Sequence, residues 1–220
     1  MRKEIIQTKD GSNTLFVPEL NETYHSTNGA LQESLHVFIK EGLLYRNLKN
    51  IKILEVGFGS GLNALTTFVS AADLGLRVNY TSLEAYPLEW DSVAKLNFTE
   101  LERMHKHHDV FRKMHSCSWD KKVPISVNFS LRKLNLKLQD ITFESAFDLI
   151  YFDAFAPQIQ PELWTNEIFH LVFKSLRSKG VLVTYCAKGS VKRSLKAVGF
   201  ELQSIPGPPG KREMSRAVKK

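Results

Sequence analysis

Three places in this 220-residue chain carry residue types able to do chemistry. In "LIYFDAFAP", Leu149 to Pro157, an apolar run ends on a carboxylate, Asp153. An ionised acid at the end of a buried strand carries a large desolvation cost unless it is paired, so Asp153 has either a structural partner or a chemical task. In "EVGFGSGLN", Gly57, Gly59 and Gly61 directly follow an apolar run. Glycines there let the backbone turn tightly, approach a ligand closely and present amides at a helix start. Glu84 ends the next apolar run, "VNYTSLE", and is the third candidate. The structural alternatives are a ligand-free turn for the glycines, and a helix N-cap or salt-bridged acid for Asp153.

The flanking patterns predict the elements that must position these residues. "IKILEVGFGSGLNALTTFVSAADLG" reads as strand, tight turn and helix, closed by Gly75. "LRVNYTSLEAYP" is a second strand stopping at Glu84, and "PLEWDSVAKLNFTELERM" the helix after it, with Pro87 in its first turn. "PISVNFSL" is a third strand, and "FDLIYFD" a fourth that is buried on both faces. "PELWTNEIFHLVFKSLRSKG" then predicts a helix, "GVLVTYCA" a fifth strand and "GSVKRSLKAVG" a helix. "FELQSI" and "EMSRAVK" form a closing hairpin around "PGPPGK". This alternation implies an α/β fold, a doubly wound sheet over residues 49–220 with a C-terminal antiparallel hairpin. Upstream, an Asp-Gly turn in "EIIQTKDGSNTLFVPEL" signals a hairpin. "NGALQESLHVFIKEGL" follows as an amphipathic helix with Leu31, Leu35, Phe38 and Ile39 on one face. Residues 1–48 thus form a small hairpin-and-helix cap.

With 43% hydrophobic and 24% charged residues the chain suits a compact core rather than disorder. No signal-peptide pattern and no membrane-length apolar run is present, so the expectation is a cytoplasmic protein with no membrane partner. Cys117 and Cys186 lie far apart without C-x-x-C spacing, which argues against a disulfide framework or zinc ribbon. "HKHHD", His105 to Asp109, offers no organised ligand face and reads as a polar loop, with no metal. The net charge of +7 is unevenly spread: Lys174 to Lys220 hold twelve Lys and Arg against Glu201 and Glu213, leaving the first 173 residues net negative. One-sided basicity of this kind suits a polyanion such as nucleic acid, the alternative being a solvated basic face.

The glycine turn narrows the cofactor. A dinucleotide fingerprint needs its third glycine where Leu62 sits, and a Walker A loop needs Gly-Lys-Ser/Thr, which is absent. Glu55, Gly57, Gly59 and Gly61 meet the E-x-G-x-G-x-G turn typical of class I S-adenosylmethionine-dependent methyltransferases, whose fold is Rossmann-like. Glu84 then accepts hydrogen bonds from the ribose hydroxyls, and the ligand lies across the carboxyl ends of the strands. Asp153 faces the sulfonium end, where a carboxylate can orient an amine and favour charge growing on nitrogen. Phe155 and Pro157 wall that pocket, and Tyr24, His25 and Ser26 either border it or, for Ser26, cap the helix that follows. Trp164 reads as a core or wall residue. Lys188, Lys192 and Arg193 either meet nucleic-acid phosphate or form a solvated helix face.

"ILEVGFGSGLNAL", "FDAFAPQIQPELWTNEIF", "GVLVTYCAKGSVKRSLKAVGF", "PGPPGKREM" and "TYHSTNGALQESLHVFI" together resemble one family across nearly the whole chain. It is the methyltransferase part of the bacterial bifunctional wobble-uridine enzyme MnmC and its free-standing form, MnmD. The resemblance implies S-adenosyl-L-methionine-dependent methylation of 5-aminomethyl-2-thiouridine at the tRNA wobble position, giving the 5-methylaminomethyl form. It puts the cofactor turn on Glu55 to Asn63, including Phe58, Ser60 and Asn63, the ribose acid on Glu84 and the active-site acid on Asp153. The C-terminal signature falls on Lys211, Arg212, Glu213 and Met214, on the substrate side. Arg132, Lys133 and Asp140 stand where many class I enzymes carry a Gly-Asp adenine contact, so that contact is not assigned. The bifunctional relative also has a flavin oxidoreductase domain, which 220 residues cannot hold. Separate upstream tRNA-modifying enzymes are therefore expected to supply the aminomethyl group. Two other readings compete: an aminopropyltransferase-like enzyme, and a non-catalytic RNA-binding module that keeps the cofactor fold.

Overall fold

The computed structural model describes residues 1–101 and 104–220. Its centre is an eight-stranded mixed sheet, built on the apolar runs around the glycine turn. The strands are β4 (Asn50–Val56), β5 (Arg77–Leu83), β6 (Lys122–Pro124), β7 (Phe129–Leu134), β8 (Phe147–Phe152), β9 (Leu176–Thr184), β10 (Glu201–Pro206) and β11 (Glu213–Val218), in the order β10-β11-β9-β8-β4-β5-β7-β6. β7, β5, β4, β8 and β9 are parallel neighbours. Antiparallel β6 and the β10–β11 hairpin close the two sides.

Side-chain alternation sorts β4 to the two sheet faces. Ile51 and Ile53 join Tyr80, Leu149, Tyr151 and Val183 in one apolar cluster, whereas Leu54 and Val56 join Leu83, Ile150, Phe152 and Leu182 in the other. Helices α2 (Leu62–Asp73) and α4 (His108–Ser116) cover the first face, and α5 (Asn166–Ser175) and α6 (Gly189–Ala197) cover the second. Helices on both faces are what near-continuous apolar parallel strands require. The N-terminal segment forms a separate antiparallel sheet of β1 (Glu4–Gln7), β2 (Asn13–Val17) and β3 (Glu22–Thr23). It leads into α1 (Ala30–Ser34), which continues as a π-helical stretch, Leu35–Leu44. Val37 and Phe38 of that stretch are buried in the first cluster, and Gly42 lies so close to the sheet that a Cβ would sit 3.1 Å from Val183 and 3.2 Å from Tyr151.

Four expectations need correction. The helix expected from Pro87 onward is only a short turn of helix, α3 (Trp90–Val93), followed by a 3-10 turn, Asn97–Glu100; Glu102 and Arg103 lie outside the described residues. Its apolar residues are spent on separate insertions: Val93, Leu96 and Phe98 are all buried. The expected third strand is a hairpin, with Pro124 ending β6 and Phe129 opening β7. The helix expected up to Gly180 starts behind the N-cap Thr165, whose side chain accepts from the Ile168 N–H, and ends at Ser175; Leu176 already pairs with Phe147 in the sheet. The expected polar loop at His105 to Asp109 is instead a 3-10 turn, His105–His107, running into α4. Among the described residues, no helix is long and apolar enough to cross a membrane, and no group of three or more His, Cys, Asp or Glu is placed to hold a metal.

Candidate active site

A cavity of about 1470 Å³ opens at the carboxyl ends of the parallel strands, where β5 and β8 flank β4. Ligands of open α/β sheets bind at this position. Three short segments build its floor.

The first is the turn between β4 and α2. Gly57, Gly59 and Gly61 all have left-handed φ, at +90°, +49° and +76°. Glycine is required twice for space as well: a Cβ on Gly57 would lie 2.8 Å from the Asp153 carbonyl oxygen, and one on Gly61 2.6 Å from His115 Nε2. The Gly57 and Phe58 N–H groups both donate to the Leu83 carbonyl, at 3.0 and 3.1 Å, which ties the turn to the end of β5. The second segment is that strand end. The Gly59 N–H donates to Glu84 Oε2 at 2.9 Å and the Tyr86 N–H to Oε1 at 2.8 Å. Each carboxylate oxygen keeps further acceptor capacity.

The third segment carries Asp153. The Asn63 amide, from the first turn of α2, donates to Asp153 Oδ2 at 2.7 Å. Asn63 is itself fixed by Ser34, whose hydroxyl donates to its Oδ1 at 2.7 Å. Burial, then the negative charge of Glu33, push the Asp153 pKa up to about 7, against the opposing Asn63 hydrogen bond and the Lys211 cation. A carboxyl with that pKa changes protonation near neutral pH, the range in which acid–base groups are most effective. The Trp164 indole donates to the Phe155 carbonyl at 2.8 Å and Gln160 accepts from the Phe155 N–H at 3.1 Å, so the turn after β8 is rigid. Tyr24 meets the Phe155 ring edge-on at 5.2 Å.

Of the residues expected from sequence, Gly57, Phe58, Gly59, Ser60, Asn63, Glu84, Asp153, Phe155, Pro157, Lys211, Arg212 and Glu213 line this one cavity. Tyr24, His25 and Ser26 line it too. Ser26 caps no helix through its side chain: α1 starts behind Gly29, with no side-chain cap. Glu55, Gly61 and Met214 are not on the cavity wall. Glu55 is fully buried on the first face of the sheet and accepts from the Ser82 hydroxyl at 2.6 Å. Met214 is fully buried in the core beneath the hairpin. Lys133 is buried as well: its ammonium donates to the His115 carbonyl at 2.6 Å and lies 4.6 Å from the centre of the Trp119 ring, beneath the glycine turn rather than in the cavity. Trp164 is a core residue.

Glu33 and Tyr185, which no sequence pattern singles out, also line the cavity. Glu33 pairs with Lys211, far along the chain, and no local pattern signals such a partner.

A family model described as S-adenosyl-L-methionine-dependent methyltransferase matches residues 102–220. The chain belongs to this family. Among relatives of the methyltransferase, the "tRNA 5-methylaminomethyl-2-thiouridine biosynthesis bifunctional protein MnmC" of Cupriavidus metallidurans is 29% identical over 97% of this chain and 33% of that protein. The chain spans about a third of the length of the curated relatives it matches. The crystal structure of MnmC2 from Aquifex aeolicus superposes with a TM-score of 0.81 and 27% identity, covering 100% of this chain and 70% of that one. Spermidine synthase from Thermotoga maritima shares the fold alone, at 15% identity and a TM-score of 0.53 over 99% of this chain and 72% of that one.

Proposed function

We propose that this methyltransferase moves the methyl group of S-adenosyl-L-methionine onto the primary amine of 5-aminomethyl-2-thiouridine at the wobble position of tRNA. The observation that carries this reading is the joining, in one cavity, of the glycine turn with Glu84 at one wall and an Asn63-held carboxylate of near-neutral pKa, Asp153, on the floor. The likeness to MnmC and to MnmC2 over nearly the full chain adds the substrate.

The residues fit the cofactor. The glycine turn brings backbone rather than side chains against it, and Glu84 has acceptor capacity for a ribose diol. Leu136, Lys137, Leu138 and Gln139 line the cavity just beyond β7 and are the candidates to border the adenine, in place of Arg132, Lys133 and Asp140. When bound, the cofactor supplies an electrophilic methyl group on a positively charged sulfur. The protein's task lies with the amine. An alkylammonium has an unperturbed pKa of roughly 10, so it must lose a proton before its lone pair can attack. Phe155, Pro157 and Tyr24 desolvate it, which favours the neutral form. Asp153 would accept an amine N–H, turn the lone pair toward the methyl group that the cofactor would supply, and take the proton that the nitrogen loses once it is methylated.

Mass spectrometry of nucleosides tests the reading. After incubation of tRNA that carries the free amine with the protein and S-adenosyl-L-methionine, one methyl should appear on 5-aminomethyl-2-thiouridine. Transfer of an aminopropyl group from decarboxylated S-adenosylmethionine to a polyamine precursor, with no methylation of tRNA, would replace this function with the aminopropyltransferase-like one.

Two further results are expected. Glu84→Ala should weaken S-adenosyl-L-methionine binding by about 1.5 to 3 kcal/mol, the worth of hydrogen bonds to a charged group. Calorimetric titration measures it, and unchanged affinity would put the ribose contact elsewhere. For tRNA binding across a salt series, Arg212→Ala should flatten the log–log slope by roughly 0.7 to 0.9, one phosphate contact. Lys211→Met should leave the slope unchanged, because the Lys211 ammonium is engaged with Glu33 and Tyr185, whereas Arg212 is exposed at the cavity rim. Equal slopes for wild type and Arg212→Ala would remove that residue from the phosphate contacts.

A further inference from the structure

Glu33 and Lys211 come from opposite ends of the chain and meet at the cavity wall. Glu33 sits in the first turn of α1 with its side chain only 10% exposed. Its Oε2 accepts the Ser26 N–H at 3.0 Å and its Oε1 is bonded to the Lys211 ammonium. That ammonium also lies 3.9 Å from the centre of the Tyr185 ring, and the Tyr185 hydroxyl donates to the Ala154 carbonyl at 2.9 Å, one residue beyond Asp153.

We propose that Glu33 and Lys211 are positioning residues for the transfer step, an ion pair that sets how firmly the Asp153 carboxylate holds a proton. The proposal rests on the reading of Asp153 as the group that meets the substrate amine.

A purely structural role explains the pair less well. A largely buried ion pair is costly to desolvate and is weak evidence for stability, since apolar residues of similar volume often replace one without loss. The attachment it would provide also exists without it. Arg216 pairs with Glu41 at 2.9 Å, and the His36 ring bonds the Pro206 carbonyl at 2.9 Å. Both contacts join the same N-terminal helix to the same C-terminal hairpin, away from the cavity. What distinguishes Glu33 and Lys211 is that they line the cavity with Asp153.

The titratable and charged groups acting on Asp153 come from several elements. Glu33 on α1 raises its pKa and Lys211 between β10 and β11 lowers it. Glu55 on β4, Tyr80 on β5 and Tyr185 after β9 also interact with it electrostatically, and Asn63 on α2 donates a hydrogen bond without charge. Neutralising Glu33 removes a like charge and leaves the Lys211 cation uncompensated, so both changes favour the Asp153 anion. Removing the Lys211 charge leaves Glu33 uncompensated and has the opposite sign.

The direct test is a carbon-13 NMR titration of protein labelled at the aspartate side-chain carboxyls, with Asp153→Asn identifying the signal. Glu33→Gln should lower the Asp153 midpoint and Lys211→Met should raise it, each by on the order of one pH unit, the effect of a close charge. Identical midpoints in wild type and both variants, or shifts of the same sign, overturn the proposal. If Glu33→Gln does not fold, Lys211→Met alone decides, since an unmoved midpoint there is sufficient to reject it. The acid limb of the kcat profile with the tRNA substrate should follow the same two directions. Absence of any methyl transfer by the wild type would refute the proposed function, while the NMR midpoints would still decide the role of the pair.

Discussion

In single-turnover assays, Asp153→Asn is expected to transfer methyl groups more slowly than the wild type by roughly a hundredfold or more, the range for positioned acid–base groups. The amide keeps the shape and an oxygen that can accept from Asn63, so the cavity floor stays in place and S-adenosyl-L-methionine affinity changes little. What disappears is the charge proposed to receive the amine proton. The pH profiles then differ in kind. The wild-type rate should rise through the Asp153 pKa of about 7 and level off, because the ionised form is the acceptor. The variant should lack that limb and climb toward the amine's own pKa, roughly 10, as more substrate arrives already neutral. Stability should move the other way. The folded-state pKa lies above the unfolded value, so the wild type loses stability as pH rises from the unfolded pKa of 3.8 to about 7. Asp153→Asn escapes that loss and should melt higher than wild type at neutral pH. A variant that is less stable, yet turns over at the wild-type rate per folded molecule, would make Asp153 a structural acid.

A buried carboxylate that costs stability at neutral pH stands out in a sequence. Asp153 directly follows an all-buried strand, β8, where only a task or a partner justifies a carboxylate, and the strand is plain from its apolar run, Leu149 to Phe152. The glycine turn was equally plain, because its left-handed backbone and the close approach of the Asp153 carbonyl exclude side chains at Gly57. Patterns failed where a residue's environment is made by distant chain. "PISVNFSL" looks like one strand, yet Ile125 and Phe129 are buried on either side of a tight turn whose Ile125 N–H donates to the Phe129 carbonyl at 2.9 Å. Leu176 looks like the end of a helix because its apolar side chain fits either period, and pairing with Phe147 decides for strand. Glu33 resembles an ordinary first-turn acid, since its partner is Lys211, brought to it only by the sheet and the closing hairpin. Lys211 and Arg212 are neighbours in a basic motif and look interchangeable, but the fold turns one inward and leaves the other exposed.

Glu55 is the sharpest case of a motif residue whose role changes once its surroundings are known, and the second large effect is expected there. As the acid of the glycine-turn motif it was expected to touch the cofactor; instead it is 0% exposed, beneath the turn, opposite Ser82 of β5 and Tyr151 of β8. Its Oε2 takes the Ser82 hydroxyl, while Oε1 has no hydrogen-bond partner among the described residues. Burial above all, with the nearby Asp153 charge adding to it, raises its pKa from 4.5 to about 8 against the opposing Ser82 hydrogen bond. Glu55 is therefore a neutral acid in the folded protein at pH 7 and an ionised one in the unfolded chain. By linkage, the stability it contributes is complete below the unfolded pKa and is lost progressively as pH rises to about 8. Glu55→Gln keeps the size and an oxygen for Ser82 but cannot ionise, so it should match wild type near pH 4 and exceed it by on the order of 3 kcal/mol at pH 7. Chemical denaturation at a series of pH values measures the gap, which should widen from about pH 4.5 and stop widening near pH 8. Cofactor affinity should be close to wild type, since the side chain does not reach the cavity. If Glu55→Gln instead lowers stability at neutral pH, the carboxylate is ionised in the folded state and held by a partner, and its position beneath the glycine turn serves to anchor charge rather than to keep it out.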